Sequence, residues 1–137
     1  MDYRIKEYCR QILKGHECTL ATGKNNKKWF WNYPAAVSIC YNNGFFKRGY
    51  SHFSKDTVWA EPLRLKIMKI GKLGYGTPFC KNPLGNCAEQ HSGNNLMKSY
   101  KGINKLEQLY FTETIRPRTM EVLTPCKHCK LIFPNLK

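Results

Sequence analysis

The chain is poor in acidic residues, has no long apolar run, and cannot pair all of its cysteines. Nine Asp and Glu stand against 23 Lys and Arg, a formal net charge of +14. A folded domain this basic attracts polyanions, nucleic acid first and anionic membrane second, with plain solubility charge as the bland reading. The excess is spread along the chain and is not a tail. No apolar stretch approaches the ~18 residues of a membrane span. The opening Met1-Asp2-Tyr3-Arg4-Ile5-Lys6 is too charged for a signal peptide. Seven cysteines, an odd number, exclude a fully paired disulfide framework within one chain. Free thiols in this number fit a reducing cytoplasm as the place of action. No internal repeat or low-complexity tract is visible.

What is present suits a folded globule. A hydrophobic share of 42% in 137 residues, rich in Phe, Tyr and Trp, is enough for a core and for a single domain over 1–137. Ile5, Tyr8, Cys9, Ile12 and Leu13 fall on one helical face, so residues 2–14 read as a helix capped by Asp2 and stopped at Gly15. A polar loop follows through Lys28, which makes 1–28 an amino-terminal helix and loop. Residues 36–41 and 45–50 read as a hairpin, because Asn43-Gly44 supplies the positive φ that a tight turn needs. The stretch 52–86 is a variable insertion. Leu63, Leu65 and Ile67 alternate as in a strand, while Leu63, Ile67 and Ile70 fit a helix equally well. Asn86 caps a helix over about 88–101, which has poor propensity because of Gly93 and its polar residues. Residues 106–111 read as a third strand. Thr124 and Pro125 open a last helix, which Pro134 closes. Cys9, Cys18, Cys40 and Cys80 sit among apolar or aromatic neighbours and read as buried thiols.

The other three cysteines form a pattern: Cys87-Ala88-Glu89, then Pro125-Cys126-Lys127-His128-Cys129. Both halves fall at expected helix amino termini, where unpaired N–H groups and the positive dipole end favour thiolates. Cys87, Cys126 and Cys129 are candidate ligands of one Zn²⁺, leaving a fourth position to water. Glu89, on another side of its helix from Cys87, is the candidate proton carrier at that position. The C-x-x-C alone is weak evidence in a cysteine-rich chain; the conjunction with Cys-x-Glu is what carries weight. The competing reading is a structural zinc clip with Glu89 on a solvated face. Such a clip needs a fourth ligand from His91 or His128. His128, inside the C-x-x-C loop, reads better as an ordinary surface histidine. Three thiolates on one Zn²⁺ leave a net −1 charge, which the helix dipoles and Arg116 or Arg118 are candidates to offset.

Gly85-Asn86-Cys87-Ala88-Glu89 with Pro125-Cys126-x-x-Cys129 resembles the cytidine deaminase-like superfamily. More narrowly, it is similar to the deaminase domains of bacterial polymorphic toxins, including the YwqJ-like branch. The resemblance covers about residues 30–137. It implies an α/β fold, a three-layer sandwich with a minimal mixed sheet of a hairpin plus a central strand. The zinc site would lie between two helix amino termini. Longer members carry more strands after the last helix, so a strand from 52–86 is a candidate to extend the sheet here. The resemblance also implies a zinc-dependent hydrolase in which Glu89 shuttles protons while water displaces the amine at C4 of cytosine. A dedicated immunity protein is an implied partner, as is a place at the carboxyl end of a secreted or injected effector.

Substrate readings differ in class. Lys27-Lys28-Trp29-Phe30-Trp31 interleaves cations and aromatics, the composition of a stacking surface for single-stranded nucleic acid, or else of a core strand with a lysine edge. His52 and Phe53, just past the second strand, are candidates to stack on a base; Asn86 and Ala88 flank the first ligand and are further substrate candidates. Charge favours cytosine in nucleic acid, DNA before RNA, with Lys27, Lys28, Trp29, Trp31, Arg116 and Arg118 as contacts. The three-cysteine ligand set favours a free cytidine or nucleoside deaminase instead. A zinc-stabilised nucleic-acid-binding module without catalysis is the third reading. A monomer is expected in each case.

Overall fold

A computed structural model describes residues 2–22 and 34–136. It is a mixed α/β structure with a small antiparallel sheet and, among the described residues, four α-helices. No helix among them is long and apolar enough to cross a membrane. Helix α1 spans Tyr3–Thr22, strands β1 and β2 span Val37–Asn42 and Phe45–Tyr50, and α2 spans Glu61–Ile70. Helix α3 spans Ala88–Ser99, β3 Tyr110–Phe111, β4 Thr114–Arg116, β5 Glu121–Leu123 and α4 Lys127–Ile132.

Asp2 caps α1 as expected, its carboxylate accepting from the Arg4 N–H at 2.8 Å. The helix nevertheless runs past Gly15, since an interior glycine costs only about 1 kcal/mol. The hairpin forms with the expected turn, and Asn43 takes φ +53°. β1 is central: β2 lies on one side, and β3 and β4 share the other, with β5 beyond β4. Every pairing between these strands is antiparallel, which corrects the expectation of a mixed sheet.

The period of two along β1 builds two different interiors. Val37 and Ile39, with Ile115 of β4, face α1 and bury against Ile5 and Cys9. Arg4 over the Tyr41 ring at 4.3 Å and Arg48 over Tyr8 at 5.0 Å fasten the edges of that contact. Ser38 and Cys40 face the other way, towards α3. There the helix approaches so closely that a Cβ on Gly49 would overlap the Ser92 backbone and sit 2.8 Å from the Ala88 carbonyl. Gly93, unfavourable for the helix by propensity, is what lets Phe133 and Leu109 pack on α3, with contacts of 3.3 and 3.4 Å to its would-be Cβ. Leu63, Ile67, Leu84, Leu96, Ile132 and Phe133 complete this second core.

Four expectations are corrected. The 52–86 stretch supplies no strand to the sheet. Leu63 and Ile67 are buried one turn apart while Leu65 is exposed, so the helical spacing prevails, with Pro62 in the first turn. Residues 106–111 form a 3-10 turn, Leu106–Gln108, and only two residues of strand. The β4–β5 hairpin, not anticipated, widens the sheet. The caps of α3 and α4 are Cys87 and Cys126, each one or two residues later than Asn86 and Thr124.

Candidate metal centre

The two cysteines that cap α3 and α4 hold extended backbone, with ψ of 146° at Cys87 and 164° at Cys126, and so turn their side chains away from the helix bodies. Their Sγ atoms meet at 3.2 Å, and Cys126 Sγ lies 3.5 Å from Cys129 Sγ. All three sulfurs fall within 4.8 Å of one another. Zn–S bonds of about 2.3 Å in a tetrahedron put sulfurs ~3.8 Å apart, so the three thiols need move only tenths of an ångström to grip one ion. The donor set suits a thiophilic metal such as zinc. Sharing hydrogen bonds within the cluster, with Cys129 first and then Cys87, holds the Cys126 thiol far below the usual thiol range. The same sharing with Cys126 pushes Cys87 and Cys129 up.

Gln90 orders this arrangement from behind. Fully buried, its Oε1 accepts from the Gly85 N–H at 2.7 Å, and its Nε2 donates to Cys129 Sγ at 3.4 Å. The Asn82 amide gives Cys126 a further hydrogen bond.

A cavity of about 350 Å³ opens beside the sulfurs. Cys87, Cys126, Glu89, Asn86 and Ala88 line it from the helix starts. The sheet supplies the opposite wall. Thr114, Arg116 and Leu123 all lie on the sheet face away from Ile115 and Val122, because β4 and β5 pair Thr114 with Leu123 and Arg116 with Glu121. Glu89 is only 3% exposed. Burial pushes its carboxyl up, while hydrogen bonds from its own backbone N–H and the Thr114 hydroxyl oppose that shift. Arg116 stands 3.8 Å from Glu121 in an exposed ion pair at the cavity wall.

Of the residues singled out from sequence, the three cysteines, Glu89, Asn86, Ala88 and Arg116 are brought together. Arg118 does not line the cavity, and neither do His52 and Phe53. His52 stacks on His91 at 3.9 Å and on Tyr50 at 4.4 Å, and Phe53 covers Gly74 and Gly85. Lys27, Lys28, Trp29 and Trp31 lie outside the described residues. His91 is committed to the His52 carbonyl at 2.6 Å and is no ligand of this group. His128 is not a surface histidine: it is fully buried, with Nε2 2.7 Å from the Thr77 hydroxyl. Cys9 and Cys40 are buried thiols as expected, Cys80 is only half-buried, and the side chain of Cys18 lies outside the described set.

Gln90, Thr114 and Asn82 have no role in the sequence reading. The sequence signal for Gln90 is its place in the polar run Glu89-Gln90-His91-Ser92 just after Cys87, every residue of which the fold buries. No protein-family model matches the chain, and no curated protein or solved structure does either.

Proposed function

We propose that this protein is a zinc-dependent deaminase of the cytidine deaminase-like kind, hydrolysing the exocyclic amine of cytosine in nucleic acid, DNA before RNA. The observation that carries the reading is the buried carboxyl of Glu89 in the same cavity as the Cys87 and Cys126 sulfurs. A purely structural zinc clip has no use for a carboxylate there. Cys87, Cys126 and Cys129 would hold zinc, which would supply the Lewis acid that makes water a nucleophile at neutral pH.

The chain's own residues do the rest. Glu89, made a stronger base by burial, accepts the proton of the attacking water as its carboxylate. It passes that proton to the ring nitrogen, then takes the proton of the hydroxyl newly bonded to C4 and delivers it to the amine, which leaves as ammonia. Thr114 holds the carboxyl in place. Asn86 and the Ala88 region face the base, whose edge they read by hydrogen bonds. A cavity of about 350 Å³ suits one nucleoside, so a paired base must leave its stack to react.

The polymer reading rests on the net charge of +14 and on Arg116 at the cavity wall. An effector role in a bacterial toxin, with an immunity protein that plugs the cavity, rests on the resemblance of the two motifs. The test is sequencing of DNA and RNA from cells that lack uracil repair and express the protein or Glu89→Ala. C-to-T changes in DNA that vanish with the variant support the reading. Turnover of free cytidine faster than any polynucleotide, with no change in either nucleic acid, overturns it in favour of a nucleoside deaminase.

A further inference from the structure

Cys126 belongs to two groups of metal donors. Besides Cys87 and Cys129, it lies with Cys80 and His128 in a second set whose ligand atoms are all within 4.8 Å of one another. Cys80 comes from a turn with no role in the site above, and His128 lies between Cys126 and Cys129 on α4 but takes no part in that site. The turn that carries Cys80 is closed by two backbone hydrogen bonds between Thr77 and Cys80, at 2.8 and 3.2 Å. That turn lies against the start of α4, where Phe79 meets the His128 ring edge-on at 5.4 Å.

The state of His128 is the independent sign. The residue is fully buried, Nε2 is engaged by Thr77 Oγ1 at 2.7 Å, and Nδ1 is buried with no hydrogen-bond partner. A buried imidazole nitrogen left bare is uncommon and costs stability. In the tautomer that donates Nε2–H to Thr77 Oγ1, Nδ1 presents a lone pair, the state in which an imidazole ligates a metal. Two sulfurs and such a nitrogen make a donor set for a thiophilic ion, zinc above all.

We propose that Cys80, Cys126 and His128, through Nδ1, bind a second zinc ion, with Cys126 as a thiolate bridging the two ions. Charge makes the pair reasonable. One Zn²⁺ on Cys87, Cys126 and Cys129 leaves −1 in a partly buried place, whereas two Zn²⁺ on four thiolates and a neutral imidazole balance to zero. A shared thiolate would also donate less to each ion, which would make an ion beside Glu89 the stronger Lewis acid. The second site rests on the donor geometry and holds whether or not the chain deaminates anything.

The test is metal content of the full chain, purified in reductant, loaded with zinc and freed of excess. The expected values are two zinc per chain for the wild type, and one each for Cys80→Ser, His128→Gln and Cys87→Ser. Cys87→Ser disables the first site alone, so its count separates failure of that site from failure of the second. Because His128 is buried and its variant can misfold, cadmium-113 NMR of the unaltered chain gives a parallel reading. Two resonances are expected, one for a three-sulfur and one for a two-sulfur, one-nitrogen environment. One zinc per wild-type chain, or a single cadmium resonance, overturns the proposal.

Discussion

Cys9 and Cys126 lie on opposite faces of one small sheet and behave as opposites. Cys9, on the sheet-facing side of α1, is packed by Ile5, Val37, Ile39 and Ile115, and burial pushes its thiol up to about 11. Cys126, at the start of α4, is half-buried among two other sulfurs and the Asn82 amide, and is pressed the other way. Burial by apolar groups makes a thiol inert; convergence of hydrogen-bond donors and helix starts makes it a ligand. The face against α1 is a pure packing interface. The face against α3 buries Glu89, Gln90, His91, Ser92 and Asn94, polar groups that a core built for stability alone avoids.

The sharpest way to break this contrast is thiol labelling. In chelator-treated protein, maleimide should modify Cys126, which lines an open cavity and whose thiol is held low, while fully buried Cys9 and Cys40 wait for unfolding. With unfolded fractions of ~10⁻³ or less, the buried pair should react at least about 1,000-fold more slowly, as read by peptide mass spectrometry. Comparable rates would show that the α1 face is not closed.

The next effect is on stability. Ile39→Ala removes a fully buried side chain from the α1 face and should cost about 2–5 kcal/mol in denaturant unfolding. Metal content of the folded protein should not change, because no ligand touches that face. A loss of metal would mean that the two faces are coupled.

The smallest effect is in the alkaline limb. Burial raises Tyr8 from about 10 to about 12, so the folded state prefers the neutral phenol. The stability this contributes is complete below about pH 10 and is lost as pH rises through about 12, where the unfolded chain has already ionised. Tyr8→Phe should flatten the fall in melting temperature between pH 9 and 11. An unchanged slope would place the alkaline sensitivity elsewhere.

The contrast also explains which parts were legible in the sequence. Short-range signals carried through: Asp2 as a cap, the Asn43-Gly44 turn, the spacing of Ile5 and Cys9, and the placing of Cys87 and Cys126 at helix starts. Each depends on neighbours within a few residues. The β4–β5 hairpin escaped because its strands are three residues long, and its turn places Met120, not glycine or asparagine, at φ +61°. His128 was misjudged because what buries it, the turn carrying Thr77 and Phe79, lies about fifty positions earlier in the chain. Thr114 as the partner of Glu89 is likewise set by sheet register, which no local pattern reveals.

The most direct measurement pairs product with metal. Purified wild type and Glu89→Gln are incubated with a cytosine-containing single-stranded DNA, and uracil and zinc are measured in the same samples. The expected result is uracil from the wild type, at least ~100-fold less from the variant, and the same zinc content in both. Equal uracil from the two proteins would contradict Glu89 as the proton carrier. No uracil from a zinc-replete wild type on DNA, RNA or free cytidine would contradict the deaminase itself.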